Sequence, residues 1–179
     1  LLALLLTCVI GEALGQPLPP GQAPVSLEYA VKATYLYKLA PFVDWPPTAF
    51  ATATAPFRIC VVGDDPFDDY LDKAVAGHSL GAHPFEVRRL DTLTPAADCQ
   101  IAFISHLAPQ NIREVLHAVS GTPVLTVTDS TAAGQGGIVQ FVIRDGRVAF
   151  EVDTAAAARN HLTISSKLLQ LAVAVKGGA

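Results

Sequence analysis

Between Val25 and Pro47 the chain reads VSLEYAVKATYLYKLAPFVDWPP, and its apolar residues recur with a helical period on two sides at once. At about 100° per residue, Tyr29, Ala33, Leu36, Tyr37 and Ala40 share one side suited to a core. Val31, Tyr35 and Leu39 recur at i, i+4 and i+8 on another, rimmed by Glu28, Lys32 and Lys38. A helix with two apolar faces needs two partners, so either it is sandwiched within one domain or the Val31, Tyr35, Leu39 stripe meets another chain. Pro41 lacks an N–H and clashes with the preceding turn, which predicts the end of the helix there, with Trp45-Pro46-Pro47 leaving in an extended path.

Downstream the pattern alternates between strand and helix periods. Phe57 to Gly63 is a short, nearly continuous apolar run, as expected of a strand covered on both faces. Asp64-Asp65-Pro66 supplies a capping carboxylate and a first-turn proline for a helix reaching about Ala76. Phe85 to Leu90 alternates with period 2, and 99–104 reads as a third strand. A helix over Pro109 to Val119 and a strand over Pro123 to Val127 follow. Ile138 to Ile143 and Arg147 to Val152 form a hairpin about Arg144-Asp145-Gly146, because Asp-Gly suits its turn. A last long helix is expected from about Thr154 to Val175. The expected fold is therefore α/β, a mainly parallel sheet flanked by helices, with an antiparallel C-terminal hairpin at its edge and a long C-terminal helix.

Composition narrows the class. With 179 residues, 51% apolar and 16% charged, the chain suits one domain with a real core and excludes disorder. Residues 1–15, LLALLLTCVIGEALG, read as a secretory signal without its initiator Met and basic n-region, with small residues placed for cleavage before Gln16. Residues 16–24, QPLPPGQAP, read as a proline-rich leader, and 25–176 as a single domain. Cleavage would leave 15 acidic against 12 basic side chains, a mildly acidic chain that argues against nucleic acid as a partner. It would also leave two cysteines, Cys60 and Cys99. After export an even pair reads as a disulfide, with two buried free thiols as the alternative.

Candidate chemistry gathers at the carboxyl ends of the predicted strands, where open α/β sheets bind ligands. Asp64, Ser105 and Asp129 define a possible ligand crevice there. Val62-Gly63-Asp64-Asp65 lacks the glycine pattern of a phosphate loop and sets carboxylates where phosphate would sit. A receiver-type phosphoacceptor needs an aspartate at the end of the third strand, where Ser105-His106 stands instead. Ser105 has no G-x-S-x-G elbow, and adjacent Ser and His rarely face each other, so solvated loop residues explain them better than a hydrolase. The remaining histidines show no paired ligand spacing, and no metal site is expected. Gly134 to Gly137 reads as a flexible lead into the hairpin, and Arg159 and Lys167 as solvated or paired surface.

Three segments in order, Tyr35-Leu36-Tyr37-Lys38 through Phe42-Val43-Asp44-Trp45-Pro46, then Gly136-Gly137 leading to Phe150-Glu151-Val152, then Leu162 to Ala172 (LTISSKLLQLA), resemble the YfiR family. The resemblance spans about residues 25 to 176. It implies a periplasmic regulator without catalysis or cofactor, which binds the periplasmic sensor domain of an inner-membrane diguanylate cyclase and represses it, lowering cyclic di-GMP and biofilm formation. It also implies sequestration by an OmpA-like outer-membrane lipoprotein, a homodimer, and a folded form supported by oxidation of a cysteine pair to which Cys60 and Cys99 correspond. The second cysteine pair that better-known members carry near the hairpin is absent here. Val31, Tyr35 and Leu39, extended by Phe42 and Trp45, are then the expected partner or dimer surface. The runner-up expectation is a periplasmic small-ligand sensor using the Asp64, Ser105, Asp129 crevice.

Overall fold

Leu27–Leu39 form helix α1 in the computed structural model, which describes residues 27–105, 112–129 and 136–177. The expected signal and leader lie outside the described residues. Pro41 does not stop the chain abruptly. It sits in the first turn of a 3-10 segment, Ala40–Phe42, where a proline's missing N–H is no loss. A two-residue strand β1, Val43–Asp44, follows, and Pro46 is extended before a second 3-10 turn at Pro47–Ala49.

The chain then lays down β2 (Phe57–Val62), α2 (Tyr70–Val75), β3 (Ser79–Leu80), β4 (His83–Leu90), β5 (Ile101–Ile104), α3 (Ile112–Ala118), β6 (Leu125–Asp129), β7 (Val139–Arg144) and β8 (Arg147–Asp153). The last stretch is α4 (Thr154–Arg159), β9 (Thr163–Ile164), α5 (Ser166–Leu171) and β10 (Ala174–Lys176). One eight-stranded sheet has the order β10-β8-β7-β6-β5-β2-β4-β3, and β1 pairs with β9 in a separate two-stranded ladder. Only β3–β4 and β7–β8 are antiparallel neighbours in the large sheet. The fold is thus α/β with a mixed, mostly parallel sheet. β2, β5 and β6 are buried along almost their whole length, as their unbroken apolar runs require.

The expected long C-terminal helix is not formed. Asn160 turns its amide inward, donating to the Val124 carbonyl at 2.8 Å and accepting from Gly121 N–H at 3.0 Å, and His161 takes a left-handed φ of 57°, which ends α4. Thr163-Ile164 then pairs as β9, and Ser165 opens a new helix by accepting from Leu168 N–H. Val175 and its neighbours form β10 parallel to β8, so β10, and not the hairpin, is the sheet edge. The hairpin itself turns on Asp145 and Gly146, both at positive φ. The helix expected from Pro66 begins a turn later. Asp65 caps Phe67 N–H in a local turn and Asp68 sits at φ 52°, which delays α2 until Tyr70.

Two apolar layers flank the sheet. One joins α1 and α2 to Phe57, Ile59, Val61, Ile101, Phe103, Leu125, Val127 and Phe141. The other joins Val115 and Val119 to Cys60, Val62, Ala102, Ile104 and Cys99. Cys60 on β2 and Cys99 before β5 are disulfide-bonded, with Cα atoms 5.9 Å apart. Gly137 allows a close approach rather than mere freedom: a Cβ there would meet the Thr126 carbonyl oxygen at 2.6 Å. Gly137 N–H and Ile138 N–H donate to the hydroxyls of Thr128 and Thr126. Gly137→Ala is expected to destabilise by about 1–3 kcal/mol through forced backbone movement, read as a lower urea midpoint.

Candidate functional site

Helix α1 presents its faces at angles that follow from which residues the sheet accepts. Lys32, Ala33, Leu36, Leu39 and Ala40 are buried. Measured around the axis from Leu36, Lys32 and Leu39 lie only about 40° and 60° away, whereas Val31 lies about 140° away. Two expectations are corrected by this. Leu39, 1% exposed, belongs to the core and not to the outer stripe. Lys32 does not rim the stripe but points inward with no exposed surface.

Burial of an ammonium demands partners, and β6 supplies the main one. Lys32 Nζ lies 2.5 Å from Asp129 Oδ2, bonds Glu28, and sits 4.6 Å from the centre of the Tyr29 ring. Tyr29 donates its hydroxyl to the same Asp129 oxygen at 3.1 Å. Burial of the phenol, then the neighbouring Asp129 charge, push its pKa up to about 12, so it stays a neutral donor. This network anchors the first half of α1 to the end of β6 and fixes which side faces out. The helical angle of Lys32 is a usable signal of its burial in the sequence, but residue type alone points a lysine to solvent.

Outward of the anchor, Leu27, Val31 and Tyr35 form an apolar ridge. Leu27 is 81% and Val31 37% exposed. Tyr35 is half-buried, its ring 6.1 Å from Phe141 and 6.0 Å from Phe150. Open grooves of about 450 and 510 Å³ run on either side of Val31 and Tyr35, the first reaching Thr34 and Lys38, the second Ile143 and Val148 of the hairpin. Ile143, 45% exposed, continues the apolar surface onto β7. That hairpin contribution had no signal in the helical pattern of α1.

The other expected surface residues are partly committed elsewhere. Trp45 donates its indole N–H to the Ala40 carbonyl at 3.0 Å and packs edge-on to Phe57. Phe42 is half-buried, and its carbonyl accepts from Ser165 N–H at 2.9 Å. Val43 pairs with Ile164 and Asp44 with Thr163. The two sequence words FVDWP and LTISS are thus one structural unit, joined across about two thirds of the length of the chain.

The proposed crevice residues end three neighbouring strands. Asp64 follows β2 and is exposed; Ser105 follows β5 and is buried; Asp129 ends β6 and is engaged by Lys32 and Tyr29. His106 lies outside the described residues. Among the described residues there is no group of three or more His, Cys, Asp or Glu side chains placed to hold a metal ion. Nor is any helix among them long and apolar enough to cross a membrane. No curated protein matches the chain. A family model described as YfiR/HmsC-like matches residues 29–173, which takes in all but the first two residues of α1, the large sheet up to β8, and the β1–β9 ladder.

Proposed function

Since the chain belongs to the YfiR/HmsC-like family, we propose that it is a periplasmic regulator that works by protein contact. In this reading it binds the periplasmic sensor domain of an inner-membrane diguanylate cyclase, holds the enzyme inactive, and so lowers cyclic di-GMP and biofilm formation. An OmpA-like outer-membrane lipoprotein relieves the repression by sequestering it. The observation that carries the reading is the family match over residues 29–173. The apolar ridge of α1 supports it, because exposed apolar side chains on an anchored helix face suit protein contact. The engagement of Asp129 with Lys32 also weighs toward contact and away from a carboxylate free for chemistry.

Deletion of the gene is expected to raise cellular cyclic di-GMP, and a plasmid copy to restore it, as measured by mass spectrometry of extracts. Unchanged cyclic di-GMP, together with no cyclase recovered on an affinity-tagged copy, would overturn the proposal.

A further inference from the structure

A pit of about 110 Å³ opens between α3 and α4, on the side of the sheet away from α1. Thr126 of β6 and Gly137 form its floor, Leu116 and Ser120 one wall, Asn160 the other, and Arg159, the last residue of α4, its rim. Thr126 faces this way because β6 sets it beside Ala102, a side chain of the layer beneath α3, so strand alternation turns both to the same side. None of Asp64, Ser105 and Asp129 lines the pit.

The groups around it offer protons and no negative charge. Thr126 is 3% exposed, and its hydroxyl accepts from Ile138 N–H at 3.0 Å, yet its own proton meets no acceptor among the described residues. A buried hydroxyl with an unused proton calls for an acceptor in the space it faces. The Ser120 hydroxyl is exposed at the wall, and the Arg159 guanidinium has no ion pair or hydrogen bond among the described residues. Asn160 does not compete, since its amide is spent on Val124 and Gly121. No carboxylate is among the described residues of the lining.

We infer that this pit binds a small oxyanion, the phosphate or carboxylate group of a ligand, with Arg159 pairing with its charge and the Thr126 and Ser120 hydroxyls donating to its oxygens. The volume matches: it admits such a group but falls well below the roughly 300 Å³ at which sites for larger organic molecules begin. A neighbouring pocket of about 150 Å³ shares Gly136 and Gly137 and receives the rest of a larger ligand. Its acids bring no free charge to repel an anion, because Glu151 lies 2.7 Å from Lys176 Nζ and Asp153 accepts from Ala156 N–H at 2.7 Å. The inference is independent of the regulatory reading and uses a surface that reading does not.

The test is isothermal titration calorimetry on the purified full chain at low ionic strength, with inorganic phosphate and acetate as probes and chloride at matched ionic strength as the reference. At least one probe is expected to bind saturably with a Kd of about 1 mM. Arg159→Gln is expected to weaken that binding at least about tenfold, through loss of a charge-assisted hydrogen bond, and Ser120→Ala to weaken it about threefold. Lys167→Gln removes an exposed cation that does not line the pit and is expected to leave the Kd unchanged. All three side chains are exposed, and melting temperatures equal to wild type without ligand check that the variants fold. Tighter binding of phosphate supports the inference and assigns a phosphate ester as the ligand class, and tighter binding of acetate supports it and assigns a carboxylate. No saturation of either probe by about 10 mM, an equal response to chloride, or a Kd indifferent to Arg159→Gln would overturn it. None of these readouts involves the cyclase, so failure here and failure of the repression experiment remain distinct.

Discussion

Asp129→Ala is expected to destabilise the protein by about 3–5 kcal/mol, because it leaves the Lys32 ammonium buried beside only the half-exposed Glu28. It also removes the acceptor of the Tyr29 hydroxyl, leaving a second polar group short of a partner. Breaking a buried pair costs more than the pair contributes in the folded state, since the remaining charge has lost its water and gained nothing. A double replacement, Lys32→Met with Asp129→Leu, is accordingly expected to recover most of the loss. Urea denaturation of the three variants measures this coupling. A single-variant loss below about 1 kcal/mol would show that solvent reaches Lys32 despite its packing.

The disulfide carries the second large effect. Cys60 and Cys99 close a loop with a sequence separation of 39, for which the chain-entropy model gives about 4 kcal/mol. Both cysteines lie in the layer beneath α3, so the bond also ties the second strand to the segment that feeds β5. The double variant Cys60→Ala, Cys99→Ala is expected to melt on the order of 10 °C lower than the oxidised protein. Reductant should lower the wild-type melting temperature and leave the double variant unchanged. Equal melting temperatures with and without reductant would refute a structural role for the bond.

Legibility of the fold followed the physical origin of each signal. β2, β5 and β6 were evident because a strand buried on both faces must be apolar throughout, and Asp145-Gly146 marked its hairpin because the turn requires positive φ. The sequence suggests one long C-terminal helix because Leu162 with Leu169, and Ile164 with Leu168, keep helical spacings even though the backbone between them turns. What breaks it is tertiary: Asn160 is drawn in to bond Val124 and Gly121, and Thr163-Ile164 finds a strand partner in Val43-Asp44. The proposed contact surface was half legible. Val31 and Tyr35 stand out by period, but the same period sets Leu39 outward although it packs in the core, and the burial of Lys32 depends on Asp129, 97 residues away. Ile143 lines the same groove from β7, a position that the helical period of α1 does not encode.

The joining of β1 to β9 and of Lys32 to Asp129 also orders events in time. Both contacts span long stretches of chain, and the entropy of closing such loops must be met before either contact contributes. The central strands can pair with near neighbours first, while α1 finds its seat only when β6 exists and its exit is fastened only when residues 163–164 have arrived. A chain cut short before Thr163 has no partner for Val43-Asp44, so the pairing of this exit segment, unlike the Lys32–Asp129 anchor, serves as a record of completeness. The segment leaving α1 is fastened only on a molecule that has been made as far as residues 163–164.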